Sequence, residues 1–193
     1  RRIPRVSRIS VRDVIKRAGL VVATATVLVV GAGCGAAEGG DAAPTPPPAP
    51  ASPPPPAAVD VPSCREAAAP EARADGGATE PKERLDPETT YTIRFETNCG
   101  AFTVTLDLES APATSASLVS LAKAGFFDNT IFHRIVPGFV IQGGDPTQSG
   151  GGGPGYQTLD APPSDAAYVK GVVAMAKTGA EAPGTSGSQF FVV

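Results

Sequence analysis

The residues of this sequence that could do chemistry are concentrated in residues 132–145, which read F-H-R-I-V-P-G-F-V-I-Q-G-G-D. Arg134 is permanently charged and carries several N–H donors in one plane, so it suits a task that needs a fixed hydrogen-bond donor. Gln142 adds an amide, and most of the other side chains are large and apolar. Taken alone, Arg134 would be interpreted as half of a surface salt bridge. Beside the whole stretch, that interpretation is not favoured.

Two residues of this stretch could suggest acid–base chemistry, His133 and Asp145. His133 is the only histidine in the chain and adjoins Arg134. Neighbouring side chains on a strand point to opposite faces, so we expect a hydrogen-bonded structural histidine rather than a general base. Asp145 has no carboxylate partner nearby for hydrolysis, and we expect it to be a turn residue.

Two extended segments joined at Pro137-Gly138 must position these side chains. Val, Ile and Phe favour strands, and Pro-Gly is a strong turn signal. After the turn, alternation places Val140 and Gln142 on one face of the strand, with Phe139 and Ile141 on the other.

The supporting elements follow the pattern of a mainly β domain that begins near Thr90. Residues 91–97 and 102–107 alternate between apolar and polar types, and residues 98–100 join them, which predicts a β-hairpin. A helix that caps or flanks a sheet should begin near Pro112, because proline suits a first helical turn.

Short strands and glycine-rich connections continue toward the end of the sequence. Residues 149–155 contain four consecutive glycines and predict a flexible loop beside a binding groove. A phosphate-binding loop is unsupported, since no Lys-Ser/Thr pair or helix pattern follows. Residues 171–176 and 188–193 have the pattern of strands, and residues 177–187 form a loop of small residues. This spacing indicates an all-β barrel or sandwich.

Residues 132–145 resemble the signature of the cyclophilins, the peptidyl-prolyl cis-trans isomerases. Met175-Ala176 and Ser188-Gln189-Phe190-Phe191 are similar to further motifs of that family. The resemblance covers residues 90–193. It implies a mainly β fold, an eight-stranded antiparallel barrel with a helix at each open end, of which this chain holds about the first two thirds.

The resemblance also implies roles for individual residues, with Arg134 as the catalytic arginine. Substrate binding falls to residues that line a proline pocket or hold the substrate backbone: Phe139, Val140, Gln142, Ala176, Lys177, Gln189 and Phe191. Lys177 departs from the family pattern, since many members have Asn there. The family places Phe139 and Gln142 in the same site, whereas strict alternation separates them, so an irregularity at Pro137-Gly138 is needed.

The activity implied by the resemblance is acceleration of X–Pro bond rotation in extracytoplasmic proteins, assisting their folding. This rotation is slow because amide resonance must be broken, at a barrier of about 18–20 kcal/mol. A donor aimed at the pyramidal prolyl nitrogen would stabilise the twisted state over the planar one. No cofactor or metal is expected.

Two other classes of function stay open. The same groove could hold proline-containing segments without catalysis, as a binding module or a chaperone tethered to the membrane. Alternatively, the chain could be an interaction protein whose proline-rich stalk is the active part.

Residues 1–37 combine a basic tip with an apolar run. Residues 1–17 carry seven Lys or Arg against one acid, Asp13, and residues 18–37 are uncharged. This order predicts a secretory signal or a membrane anchor with its basic end in the cytoplasm. Either one would place the rest of the chain on the extracytoplasmic side of the cell membrane.

The apolar run ends in V-V-G-A-G-C, which resembles the lipobox of bacterial lipoproteins and implies lipidation of Cys34. Gly31 stands where that motif usually has Leu or Val. The run is also long enough to span a bilayer, which takes about 20 residues. A lipoprotein and an uncleaved single-span anchor therefore both stay open.

Residues 38–89 are predicted to be a disordered linker before the domain. Most of the 21 prolines lie here, mixed with Ala, Gly and Glu, and such a segment buries too little apolar surface to offset its ordering entropy. We expect a semi-rigid proline-rich tether, disordered from Pro62 to about Pro87. Cys64 in the tether and Cys99 in the predicted hairpin turn are expected to form a disulfide that pins the tether to the domain.

The expected partners are proline-containing segments and the membrane, and we expect a monomer. The whole chain has a net charge of −3, yet its basic residues gather at the tip, so the body is acidic. An acidic body with few aromatic residues argues against nucleic acid as the main partner. The sequence stops at Val193 inside an apolar run, so we expect the last strands, the second helix and further pocket residues to lie beyond it.

Overall fold

The computed structural model describes the backbone of residues 7–18 and the whole of residues 64–193. Cys34, the apolar run and the predicted linker as far as residue 63 lie outside the described residues. Within the described part of the chain, no helix is both long and apolar enough to cross a membrane.

The described chain consists of short strands and one helix. In chain order the strands are β1 (Ser7–Ala18), β2 (Thr89–Thr97), β3 (Gly100–Thr105), β4 (Thr130–Ile131), β5 (Arg134–Val136), β6 (Val140–Gly143), β7 (Thr158–Leu159), β8 (Val173–Met175), β9 (Thr185–Ser186) and β10 (Phe190–Val192). The helix, α1, spans Pro112–Lys123 and lies between β3 and β4 in the sequence.

The strands are arranged in three antiparallel sheets. The first has the order β3-β2-β1-β4, the second β5-β6-β10-β8, and β7 and β9 form a two-stranded ribbon. In the first sheet, β1 pairs with β2 from Ala18↔Thr89 to Ser10↔Glu96 and also with β4. Part of the basic tip therefore forms a strand, while its role as a signal or anchor stays a prediction.

The mainly β architecture confirms the predicted fold class, but the described strands do not close into a barrel. β3 and β4 are the edges of the first sheet, and β5 and β8 are the edges of the second. One isolated bridge, Ile131↔Asp145, links β4 to the residues after β6. The eight-stranded barrel implied by the resemblance, expected here only in part, is thus not closed among the described residues, and α1 is the one helix among them.

Aromatic residues hold the two larger sheets together. The ring of Phe95 on β2 lies with its centroid 5.0 Å from that of Phe102 on β3 and 5.0 Å from that of Phe190 on β10. Phe127 and Phe132 complete the buried cluster around Phe190. Contacts at these distances add to the burial of apolar area. Because Phe190 is fixed in the core, the next side chain on β10 must face the other way.

A carboxylate from a distant loop caps the start of α1. Ala111 at the N-cap makes no side-chain hydrogen bond, and Pro112 follows it. Asp160 accepts from the backbone N–H groups of Ala113 at 3.2 Å and Thr114 at 2.7 Å. These are donors that a helix cannot satisfy internally, and a negative charge there also complements the helix dipole.

Residues 64–88, called the arm below, contain no helix or strand but run along the domain. The arm is joined to the β2–β3 turn by a Cys64–Cys99 disulfide with sulfur atoms 2.10 Å apart. Beside it, Arg65 N–H donates to Asn98 O and the Asn98 amide donates to Arg65 O, each at 2.8 Å.

The arm corrects the predicted boundary of the ordered domain. Disorder was expected as far as Pro87, yet Ala78 and Leu85 pack against the core, and Arg73 N–H donates to Pro146 O at 2.8 Å. Hydrogen bonds to the domain and these apolar contacts offset the ordering entropy that composition alone would leave uncompensated. The ordered part of the chain therefore extends to Cys64.

Candidate functional site

The β5–β6 hairpin sets Arg134 directly opposite Gln142. In its antiparallel register, Arg134 pairs with Gln142 and Val136 pairs with Val140. The turn is closed by a hydrogen bond of 3.0 Å from Phe139 N–H to Val136 O. Gly138 has a φ of 73°, which glycine adopts without strain, so the Pro-Gly pair allows this tight connection.

β10 extends the same row of side chains across the sheet. Phe191 pairs with Gln142 on one side and with Ala174 on the other. Directly opposed residues share a face, so Arg134, Gln142, Phe191 and Ala174 lie in one row. The face that carries this row is called the site face below.

The opposite face of the sheet belongs to the core. Ile141 pairs with Val192, and both pack against the buried cluster together with Val173 and Met175. Phe190 and Phe191 thus serve different surfaces, the first buried in the core and the second on the site face.

Phe139 lies in the hairpin turn, outside both strands. Strand alternation therefore does not govern the direction of its side chain. Its side chain is 61% exposed, whereas Val140 is 5% exposed. Within the described chain, the Phe139 ring stacks on no other aromatic ring.

A directed chain of amide hydrogen bonds ends at Arg134. Gln189 Nε2 donates to Gly150 O at 2.9 Å and to Gly152 O at 2.8 Å. Gln189 Oε1 accepts from Gln142 Nε2 at 3.0 Å, and Gln142 Oε1 lies 3.4 Å from Arg134 Nη1. Carbonyl oxygens can only accept, so the two glycines determine which end of Gln189 is the nitrogen. That choice fixes Gln142 with its oxygen toward the guanidinium.

Asp145 holds the glycine-rich loop from inside the domain. Its carboxylate accepts from Thr147 N–H at 2.7 Å, from Thr147 Oγ1 at 2.8 Å and from Gly150 N–H at 2.6 Å. Burial opposes ionisation, but the hydrogen bonds from Thr147, Gly150 and Gly152 hold the pKa of Asp145 below its usual value. Asp145 is thus the turn residue expected from the sequence.

His133 is packed between the loop and the sheet without the predicted hydrogen bond. Both ring nitrogens are buried, and neither has a partner among the described residues. Burial lowers the pKa of His133; the Asp145 carboxylate opposes this shift and the charge of Arg134 adds to it. Burial therefore disfavours the charged form of His133, and the hydrogen bond that was expected is absent among the described residues.

A cavity of about 560 Å³ adjoins the site face. Gln142 and Gln189 form its boundary with that face. The other walls come from the glycine-rich loop, from the segment after β8 and from the arm: residues 150–157, 176–178 and 187–188, with Asp75 and Glu181.

Family comparison accounts for most of the domain. Residues 92–193 match the family described as cyclophilin type peptidyl-prolyl cis-trans isomerase/CLD. The chain belongs to this family.

Similar proteins are found in several eukaryotes. A peptidyl-prolyl cis-trans isomerase-like 2 of Cryptococcus neoformans is 44% identical over 119 residues, covering 58% of this chain and 20% of that protein. A peptidyl-prolyl cis-trans isomerase-like 1 of Emericella nidulans is 42% identical over 104 residues, covering 52% of this chain and 62% of that protein. The chain thus spans less than two thirds of the length of these relatives.

Solved structures of the same family are also similar. A crystal structure of a cyclophilin type peptidyl-prolyl cis-trans isomerase from Cryptosporidium parvum is 36% identical in sequence, with a TM-score of 0.49. The match covers 53% of this chain and 66% of that one.

The residues that the cyclophilin resemblance singles out fall into two adjoining groups. Arg134, Val140 and Phe191 occupy register positions of the site face, while Phe139 lies at the hairpin tip. Ala176, Lys177, Gln142 and Gln189 line the cavity. Gln142 and Gln189 connect the two groups through their hydrogen bond.

Lys177, the departure from the cyclophilin pattern, is turned toward its own loop. Its Nζ donates to Thr178 O at 3.0 Å and to Glu181 O at 3.1 Å. The Glu181 carboxylate accepts from Thr178 N–H and from the Gln157 amide, and the Thr178 N–H lowers the pKa of Glu181. The ammonium therefore braces the loop that carries it.

Sequence reasoning missed Asp75, which belongs to the cavity wall although it lies before the matched region. Asp75 lies in a proline- and alanine-rich stretch without the periodicity of a helix or a strand, so no element could be predicted around it. A charged residue next to Gly76-Gly77 was the one signal available, since such pairs mark tight turns.

Proposed function

We propose that this chain forms part of a peptidyl-prolyl cis-trans isomerase and that Arg134 is its catalytic residue. The observation that carries the proposal is the placement of Arg134 on the site face, exposed, with Nη1 directed by Gln142 Oε1 and with Phe191 in the same row. A fixed donor beside an aromatic surface is what rotation about an X–Pro bond requires.

The proposed step is hydrogen bonding to the prolyl nitrogen as the amide twists. In the planar amide the nitrogen lone pair is delocalised, and in the twisted state it is localised and can accept a hydrogen bond. Arg134 would therefore bind the transition state more strongly than either planar isomer, which is the condition for acceleration. Each 1.36 kcal/mol of this difference gives about tenfold in rate.

Other groups of the site would hold the substrate during the twist. Phe191 offers an apolar surface to the proline ring. Gln142 Nε2 donates one hydrogen to Gln189 and keeps a second that can bind a substrate carbonyl. His133 and Asp145 take no part, because the ring nitrogens of His133 are buried and the Asp145 carboxylate is occupied by the loop.

The extracytoplasmic location is part of the same proposal. It is supported by the basic tip, the apolar run and the lipobox-like ending at Cys34. A Cys64–Cys99 disulfide also suits an oxidising compartment. In this setting the clients would be proline-containing segments of exported proteins.

The decisive test is cis–trans exchange of an Ala-Pro peptide, measured by NMR with the full chain and with Arg134→Ala. Arg94→Ala is a matched control, because Arg94 is an exposed strand arginine with a 3.5 Å ion pair to Glu96. We expect exchange to collapse in Arg134→Ala alone, with peptide binding and circular dichroism retained. Full activity in folded Arg134→Ala would refute the proposal. Peptide binding by the unaltered chain without any acceleration would identify the non-catalytic binding module instead.

A further inference from the structure

The arm makes a short backbone pairing with the glycine-rich loop. Gly76 N–H donates to Gly153 O at 3.0 Å, and Ala78 N–H donates to Pro154 O at 3.1 Å. The Asp75 carboxylate accepts from Gly153 N–H at 2.7 Å. Both backbone polar groups of Gly153 are therefore satisfied by the arm.

This pairing depends on glycine on both sides. Gly76 and Gly155 have φ values of 73° and 92°, a region that other residues adopt only with strain. A Cβ added to Gly155 would also lie 3.1 Å from the Cα of Gly76. The arm and the loop thus fit each other closely at this point.

Two carboxylates hold opposite ends of the loop. Asp145 accepts from Gly150 N–H on the inner side, and Asp75 accepts from Gly153 N–H on the outer side. Between these two attachment points lie the carbonyl groups of Gly150 and Gly152, the two acceptors that orient the Gln189 amide.

A continuous series of hydrogen bonds therefore runs from the arm to the guanidinium of Arg134. Asp75 fixes Gly153, the loop presents two carbonyl oxygens to Gln189, Gln189 orients Gln142, and Gln142 Oε1 faces Arg134. Each link has a defined direction, because only one end of each amide can donate.

We propose that Asp75 is a positioning residue for the isomerase reaction, acting through the glycine-rich loop and the two glutamines on Arg134. The proposal rests on the function proposed above. Loss of the Asp75 acceptor leaves Gly153 attached to the arm only through its carbonyl, so the loop can shift and the Gln189 amide loses the fixed carbonyls that define its orientation. Gln142 and the guanidinium lose their alignment in turn, so the effect falls on turnover, while Phe191 continues to contact the proline ring.

The variants that test this role are Asp75→Ala, Asp75→Asn and Glu71→Ala. Asp75→Asn keeps an oxygen that can accept from Gly153. Glu71→Ala removes an exposed carboxylate from the same arm, so it matches the change in charge. The first readout is the side-chain amide NMR signals of Gln142 and Gln189. These signals report the series of hydrogen bonds from Asp75 to Arg134 whether or not the protein is catalytically active. The second is kcat and KM for exchange of the Ala-Pro peptide.

Asp75→Ala should shift and broaden both glutamine signals and lower kcat about fivefold, the scale of one lost hydrogen bond, with KM nearly unchanged. Asp75→Asn should recover most of the loss, and Glu71→Ala should behave like the unaltered chain. Unchanged glutamine signals and kcat in folded Asp75→Ala would overturn the proposal. If Asp75→Ala does not fold, Asp75→Asn and Asp75→Ser decide it, because Asn keeps the acceptor geometry and Ser does not reach Gly153.

A double-mutant cycle separates positioning from general stability. In a Gln189→Ala background, Asp75→Ala should have little further effect on kcat, because the link through which it acts is already absent. Additive losses would show that Asp75 acts by another route and would overturn its positioning role.

The proposed function and the positioning role can fail separately. A fully active Arg134→Ala would refute the proposed function, yet the glutamine signals would still report the hydrogen bonds from Asp75 to Arg134. Loss of exchange in Arg134→Ala beside an unaffected Asp75→Ala would refute only the positioning role.

Discussion

Arg134 and Gln142 oppose each other across the β5–β6 ladder, with the guanidinium Nη1 3.4 Å from the amide oxygen of Gln142. The contact is long for a hydrogen bond, so it orients the guanidinium more than it stabilises the fold. The Gln142 amide directs its oxygen to Arg134 while its nitrogen donates to Gln189. The orientation of the arginine is thus tied to two amides.

Substitutions at Gln142 should separate these two contacts. Gln142→Leu removes the oxygen and the nitrogen, and we expect kcat to fall on the order of tenfold. Gln142→Glu keeps an oxygen for Arg134 but cannot donate to Gln189, so it should retain more activity than Gln142→Leu. Peptide exchange at saturation, with circular dichroism as the folding control, measures both. Equal losses in the two variants would mean that the oxygen toward Arg134 has no separate role.

Arg134→Lys should restore only part of the activity that Arg134→Ala loses. An ammonium on a flexible stem keeps the charge but cannot contact Gln142 and the prolyl nitrogen through one planar group. The comparison is kcat for the two variants, with Arg94→Lys as a control on an exposed strand arginine. Full activity of Arg134→Lys would show that a point charge is sufficient.

His133 should make the stability of the domain depend on pH near neutrality. Its pKa is lowered in the folded state relative to the ordinary value of 6.5, so the unfolded state binds more protons as pH falls through 6.5. The free energy of unfolding should therefore decrease between pH 7.5 and pH 5.5 and recover as pH rises. Asp107 and Asp145, whose carboxyl pKa values are also lowered, contribute stability that is lost only below about pH 4.

Urea titrations at pH 7.5 and pH 5.5 measure this effect in the unaltered chain and in His133→Phe. Because His133 is the only histidine, its replacement should remove most of the difference between the two pH values. The same difference in His133→Phe would assign the effect to another group. Folded His133→Ala should keep most of its kcat while losing stability; the opposite pattern would make the histidine, not Arg134, the catalytic group.

The disulfide should stabilise the domain and order the start of the arm. For a loop of 35 residues, the loss of unfolded-state entropy gives at most about 3–4 kcal/mol. Peptide mapping without reductant should recover Cys64 and Cys99 as one linked pair from protein made in an oxidising compartment. The double variant Cys64→Ser/Cys99→Ser should have a lower urea midpoint. Recovery of both residues as free thiols would contradict the bridge.

Labelling with a fatty-acid analogue distinguishes the two proposed anchors. Incorporation that disappears in Cys34→Ala and persists in Cys64→Ala would support a lipoprotein. Membrane association without labelling would support an uncleaved single-span anchor. A cytoplasmic product free of membrane would contradict both.

Much of the site could be predicted from the sequence because it lies on short, regular strands. Alternation along residues 140–143 and the turn signal at Pro137-Gly138 are local properties, and they were sufficient to predict the turn and to place Val140 and Gln142 on one face. The register that pairs Arg134 with Gln142 was not predicted. The rule does not apply to Phe139, since side-chain alternation ends where the strand ends.

The arm could not be predicted because its order comes from contacts distant in sequence. The composition of residues 64–88 has neither helical nor strand periodicity, and its hydrogen bonds join Asp75 and Gly76 to Gly153. Nothing local indicates such a register. That His133 finds no hydrogen-bond partner among the described residues is likewise a property of packing, which single-residue patterns do not encode.

An inner strand of the sheet that carries the site face is translated after both of its neighbours. β10 lies between β6 and β8 in space but follows both in sequence. While the polypeptide leaves the ribosome or crosses a membrane, the edges of β6 and β8 that pair with β10 stay unpaired until β10 emerges. Over the same interval, Gln142 has no Gln189 to orient it. The arm, by contrast, emerges before Asn98, Pro146 and Gly153, with which it forms hydrogen bonds. A nascent chain in which β10 has not yet emerged would therefore lack the Gln142–Gln189 hydrogen bond and expose two unpaired strand edges, the kind of surface that chaperones recognise.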